Sequence, residues 1–303
     1  MFIGLVLAAM LLARGDTLGT IMPTGDSITD GDGSTDGVGY RNDLASLLFQ
    51  HGIEFSYVGD ELGGGQNPDF PGHFRSGARI EEFYPPTFGN GWGTGAFDIG
   101  PALDQIHPDV LLIHLGTNNV PSADTPLGPY SIDGGATLFR SYAGYMAELI
   151  SFVASRYDGY PAGTPLVVVS RIIPIINMVD RVEAFNGYLD EMARDMARGL
   201  VTGAPVHVVV CDQFTPFIEN PLLFTGLPGD YMSDWGHPND LGYSVMAGSY
   251  LATLRDDAPP GTVEDLAVWG QGPHSVRLWW TSPGDDWWSG TAAVVTMRFA
   301  PLP

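Results

Sequence analysis

Short apolar runs alternate with longer stretches of helical spacing along most of this chain. The runs fall at 20–24, 54–58, 110–115, 166–171 and 206–211. Val167-Val168-Val169 and Val208-Val209-Val210 are unbroken β-branched triplets, the pattern of strands buried on both faces. Between the runs, Tyr40, Leu44, Leu47 and Leu48 recur at i, i+4, i+7 and i+8, one face of a helix, and Gly52 closes it. The spacing predicts further helices over 136–157, 180–200 and 240–254. Strands interleaved with helices predict an α/β domain whose parallel sheet is covered on both sides. Segment 63–100 is rich in Gly, Pro and aromatic residues and has little periodicity. It is long enough to shape a substrate cleft.

The texture changes at both ends. Residues 2–13 are an apolar run too short to span a bilayer, followed by Arg14 and Asp16. The run suits a signal peptide, although no basic residue precedes it; a misplaced gene start is the alternative. Residues 1–17 are therefore read as a leader and the protein as secreted. Residues 256–262 read as a linker. Beyond it, Val263, Leu266 and Val268, then Val276, Leu278 and Trp280, then Val295, Met297 and Phe299 mark period-two strands, with a turn at Pro283-Gly284-Asp285-Asp286. Segment 263–303 reads as a short antiparallel β segment, and its wording from Ser275 to Ala292 resembles the first half of a fibronectin type III module. That resemblance implies an incomplete sandwich, with Trp287 and Trp288 in its core or rim.

Composition narrows the partners. The 303 residues hold 35 acidic side chains against 13 basic ones, a net charge of −22. Every base is arginine. Such a surface repels nucleic acid and anionic membranes and tolerates a neutral substrate. The absence of lysine excludes Schiff-base chemistry and Ser-x-x-Lys nucleophiles. Cys211 is the only cysteine, so no internal disulfide can form; within an apolar strand it reads as a buried structural thiol. Neither Cys-x-x-Cys nor His-Glu-x-x-His is present, so no zinc motif is offered. Asp30-Gly31-Asp32-Gly33-Ser34-Thr35-Asp36-Gly37 alternates carboxylates with small residues; it reads as a solvated acidic loop, with calcium binding the alternative.

Three segments carry candidate chemistry. Gly25-Asp26-Ser27 places a serine hydroxyl where a strand ends, with a glycine for close backbone approach and an aspartate able to bond nearby amides. The Gly-x-Ser-x-Gly elbow is absent, so a nucleophilic Ser27 belongs to another scaffold. Asp234 and His237 stand three residues apart, a spacing at which a turn sets the carboxylate against Nδ1–H and leaves Nε2 for a serine. A plain helix-capping loop is the alternative there, with Asn239 capping the last helix. Asn118 follows the strand 110–115, on the edge where open α/β sheets place ligands, and its amide can donate to a developing oxyanion.

Together these segments resemble the blocks of the SGNH, or GDSL-type, hydrolase superfamily over residues 18–254. The resemblance implies a three-layer sandwich around a five-stranded parallel, flavodoxin-like sheet, spanning 18–255. It implies Ser27 as nucleophile, Asp234 and His237 as the other triad members, and an oxyanion hole from Ser27, Asn118 and Gly77. Gly77 comes from Gly72-His73-Phe74-Arg75-Ser76-Gly77, where Gly72 competes for the role. It implies a monomeric serine esterase that needs no metal or other cofactor. Gly39-Tyr40-Arg41, Leu44 and His73 resemble carbohydrate acetyl esterases such as acetylxylan esterases, pointing to an acylated polysaccharide or oligosaccharide. Thr24 in place of a bulky apolar residue and Pro71 in place of an acid depart from that pattern. A lipid or thioester hydrolase of the same superfamily, or a non-catalytic carbohydrate-binding or adhesive protein, are the alternatives.

Overall fold

A computed structural model describes residues 17–135, 137–157, 164–255, 267–272 and 275–279. Its centre is a parallel sheet in the order β2-β1-β4-β5-β6, with β1 at Thr17–Gly25, β2 at Glu54–Tyr57, β4 at Val110–His114, β5 at Leu166–Arg171 and β6 at Val208–Asp212. The five expected strands are all present, in the flavodoxin-like order. One strand has no counterpart in the sequence reading. β3, at His73–Phe74, pairs with the end of β1, Thr24 facing His73 and Gly25 facing Phe74. It takes over the β1 edge where β2 leaves off, since β2 pairs only as far as Ile21.

Alternation along the strands builds the three layers. Met22, Leu111, Ile113, Val167, Val169, Val208 and Val210 enter one core with α3 (Gly100–Ile106), α4 (Tyr142–Ser155) and α5 (Val179–Ala197). Ile21, Val110, Leu112, Val168, Val209 and Cys211 enter the other with α2 (Tyr40–Gln50) and α7 (Asp240–Leu254). A strand with both faces covered needs no polar alternation, which is why the valine triplets are unbroken. Each fully buried Val, Leu or Ile contributes roughly 1.5–3 kcal/mol against its exposed state. Burial pushes the Cys211 thiol up to about 12, so it stays protonated at neutral pH.

Helix α2 starts at Tyr40 and α7 at Asp240, as expected. α4 starts at Tyr142 instead of 136, because the Ser141 hydroxyl accepts the Gly144 amide and caps it there. α1 (Ser27–Asp30) and α6 (Thr215–Ile218) are four-residue helices with no periodic signal. Thr24 is fully buried, and its hydroxyl donates to the Met22 carbonyl, which accounts for a polar residue in this strand. No helix among the described residues is long and apolar enough to cross a membrane. At the C-terminal end, β7 (Ala267–Gly272) and β8 (Ser275–Trp279) form an antiparallel pair. Of the expected leader 1–17, only Thr17 is described, as the first residue of β1; its other residues, the linker 256–262 and the rest of the fibronectin-like segment, with Trp287 and Trp288, lie outside the described residues.

Candidate active site

The carboxyl ends of β1, β3 and β4 converge with the loop before α7. Gly25 ends β1 where only a glycine fits: a Cβ there would lie 2.6 Å from the His114 carbonyl and 2.2 Å from the Thr29 hydroxyl. The chain then turns at Asp26, whose carboxylate accepts the Ile28 amide at 3.1 Å and caps α1. Ser27 is the first residue of that helix and is 5% exposed. An amide in a first helical turn has no intrahelical acceptor, so the Ser27 N–H is left without a partner inside α1.

Ser27 Oγ lies 2.9 Å from His237 Nε2, across 210 residues of sequence. His237 Nδ1 lies 2.8 Å from Asp234 Oδ2. An ionised carboxylate only accepts, so Nδ1 carries the proton and Nε2 is free to accept from the serine hydroxyl. The other Asp234 oxygen accepts the amides of Gly236 and His237 at 2.9 and 2.8 Å. Burial pushes the Asp234 pKa up, but those amides and the His237 ring outweigh it and hold the group below the usual carboxylate range. The loop is pinned by Asn239, which caps α7 through the Gly242 amide and donates from its own amide to the carbonyls of Asp230 and Met232.

Asn118 sits just past β4, half-buried, and its Nδ2 donates to the Ala78 carbonyl at 3.0 Å. One amide hydrogen is spent there and the second remains for a ligand. Gly77 is exposed with φ +80. Its turn is held on both sides. The Arg75 amide donates to the Gly25 carbonyl at 3.1 Å, and the Ser76 hydroxyl donates to Asp30 and Asp32. On the far side, Asn119 is fully buried, accepts the Ile80 amide and donates to Glu81. The turn bearing Gly77 is thereby tied to the loop bearing Asn118.

Of the groups around the relay, His114 had no place in the sequence reading, whereas Asp26 bonds a nearby amide at the turn as expected. Asp26 is fully buried, and burial raises its pKa to about 7 against the Ile28 amide, the Thr117 hydroxyl and the His237 charge. His114, at the end of β4, is fully buried with neither ring nitrogen hydrogen-bonded, and burial lowers its pKa to about 4. His73 pairs with Asp60 at 2.7 Å and stacks on Phe97 with centroids 4.2 Å apart, which fixes β3 beneath the Gly77 turn. The acidic loop is more than a solvated edge. Asp30 accepts the Gly64 amide, Asp36 accepts the Val38 amide, and Thr35 donates twice to Asp240 at the start of α7. Its carboxylates are engaged within the chain, and among the described residues no cluster of three or more His, Cys, Asp or Glu is arranged to hold a metal ion.

Solved structures share this arrangement of elements. A family 3 carbohydrate esterase from Clostridium thermocellum is 20% identical, with a TM-score of 0.54 over 78% of this chain and 94% of that one. A family 3 carbohydrate esterase from Talaromyces cellulolyticus is 19% identical, with a TM-score of 0.51 over 79% of this chain and 99% of that one. An acetyl esterase solved with acetate ion is also 19% identical, with a TM-score of 0.50 over 78% and 98%. At such identities the likeness is one of fold. No curated protein matches the chain. The family itself is carried by sequence: the profile of the GDSL-like lipase/acylhydrolase family matches residues 24–245, from the strand before Ser27 into the helix after His237, and the chain belongs to that family.

Proposed function

We propose that the protein is a serine esterase that removes short acyl groups, acetyl foremost, from a carbohydrate outside the cell. The observation that carries the reaction is the relay Ser27–His237–Asp234 at 2.9 and 2.8 Å. Ser27 Oγ attacks the ester carbonyl while His237 Nε2 takes its proton. Asp234 holds the ring in the required tautomer and stabilises the imidazolium. The amides of Ser27 and Gly77 and the Asn118 side chain donate to the tetrahedral oxyanion. His237 then returns the proton to the leaving alcohol, and the acyl-enzyme is hydrolysed by water activated at the same nitrogen.

The carbohydrate assignment is supported by the names of the two family 3 neighbours and by the strongly acidic surface, which suits an uncharged polymer. Secretion is supported by the apolar run at residues 2–13. The hydrolase domain spans 18–255 and acts as a monomer. The test is acetate release from acetylated xylan, acetylated pectin and aryl acetates, with Ser27→Ala beside the wild type. Acetate release that Ser27→Ala abolishes is the expected result. Wild-type rates in Ser27→Ala would sink the mechanism, and release from aryl acetates alone would sink the substrate.

A further inference from the structure

Trp235 separates Asp234 from His237 in sequence, and its side chain is 47% exposed. Leaving an indole in water forfeits burial that this fold otherwise uses freely. The turn does not require it. The turn is built by Asp234 Oδ1 accepting the amides of residues 236 and 237. What Trp235 gives the turn is a carbonyl, which accepts the Ile176 amide at 2.9 Å and which any residue would supply.

That bond draws the loop after β5 against the loop before α7. Ile176 is itself exposed, and the next residue, Asn177, is held at φ +62. The indole stands as an apolar ledge beside His237, whose ring it meets edge-on at 6.0 Å, with exposed Ile176 on the loop bonded to its backbone. On the other flank of β1 and β4, following β3, stand Ser76, Asp30 and Asp32. The cleft thus has an apolar side and a polar side.

Reaction geometry says which part of the substrate meets the ledge. The acyl oxygen must point to Asn118 and Gly77. The leaving oxygen must reach His237 Nε2 to be protonated, so the alcohol lies along His237 and against Trp235. A pyranose offers a face of C–H groups to an aromatic ring and a rim of hydroxyls to polar groups. We infer that Trp235 is a specificity-determining residue that stacks the sugar from which the acyl group is removed. The inference rests on the carbohydrate reading above and assigns its contact.

The test compares wild type, Trp235→Ala and Trp235→Phe on acetylated xylo-oligosaccharide and on ethyl acetate, whose leaving group is too small to reach the ledge. In Trp235→Ala the ratio of kcat/KM for the sugar to that for ethyl acetate falls about tenfold or more, chiefly through KM on the sugar, and Trp235→Phe recovers most of it. Equal losses on both substrates would show that the indole only positions His237 and would overturn the inference. An unchanged KM for a sugar that the wild type does cleave would overturn it too, leaving the carbohydrate reading intact. A wild type that cleaves ethyl acetate and no acetylated sugar removes that reading and the role of Trp235 with it.

Discussion

His114 and Asp26, two neighbours of the relay, give the sheet end opposite pH dependences. His114 is buried without a partner, and its folded pKa of about 4 lies below the ordinary value of 6.5. The unfolded chain binds that proton first, so stability is full above about 6.5 and is lost as pH falls toward 4, on the order of 3 kcal/mol across the window. His114→Leu removes this loss, and the Tm gap between variant and wild type therefore widens from pH 7 to pH 4.5; parallel Tm curves would refute the account. Asp26 runs the other way. Burial raises its folded pKa to about 7 from 3.8, so the stability it carries is full below about 4 and drains as pH rises through 7. Asp26→Asn keeps the oxygen that caps Ile28 and gains on the wild type from pH 4 to pH 8 in thermal melts. At the proposed oxyanion hole, Asn118→Ala lowers kcat by about 10²–10³ with KM little changed, read by steady-state kinetics on an aryl acetate. The relay was legible at this scale because Asp234 and His237 are close in sequence and a single turn brings them together. His114 and the raised pKa of Asp26 were not, since both depend on burial supplied by elements far along the chain.

Among the elements, the loop before α7 is tied to its helix by Asn239. Asn239 caps the helix with its oxygen and spends its amide on the Asp230 and Met232 carbonyls. Asn239→Ala loses both functions, costs about 1–2 kcal/mol and lowers kcat as His237 gains freedom. Asn239→Ser restores the cap alone; it recovers Tm more than kcat, and equal recovery of both would show that the amide bonds do not position the loop. The sequence displayed those elements whose burial is regular. Val167 to Val169 and Val208 to Val210 read as strands because both faces are covered, and α2 reads as a helix because only one face is. β3 has two residues and cannot show a period. α1 has four residues and exists because Asp26 caps it and the Gly25 backbone approaches His114 closely, facts of tertiary contact. α4 began six residues late for a local reason: periodicity runs through 136–141, and the Ser141 cap overrides it.

Across the whole molecule the sequence carries a net charge of −22, and three of its acids lie close to the site: Asp30 and Asp32 bond Ser76 beside Gly77, and Asp234 bonds His237. Buried Arg41, which donates to the Asp30 carbonyl, offsets part of this charge, and the other nearby arginines are paired. Arg75 is committed to Glu82, and Arg79 to Glu81 and Asp124. An ester carrying its own negative charge therefore meets a repulsive potential that a neutral ester does not, and this lowers its rate of encounter. Salt screens that potential over about 10 Å at 0.1 M, and more tightly at higher concentration. The effect is read by comparing acetylated xylo-oligosaccharides with and without a glucuronic acid branch, matched in length, at 10 mM and 500 mM NaCl. The kcat/KM for the acidic substrate starts lower and rises severalfold with salt, while that for the neutral one changes little. The gain lies in kcat/KM at low substrate, where encounter counts, and kcat at saturation stays level. A ratio between the two substrates that does not move with salt would mean that the acids of this surface are too far from the cleft, or too well screened by their own hydrogen bonds, to select substrate by charge.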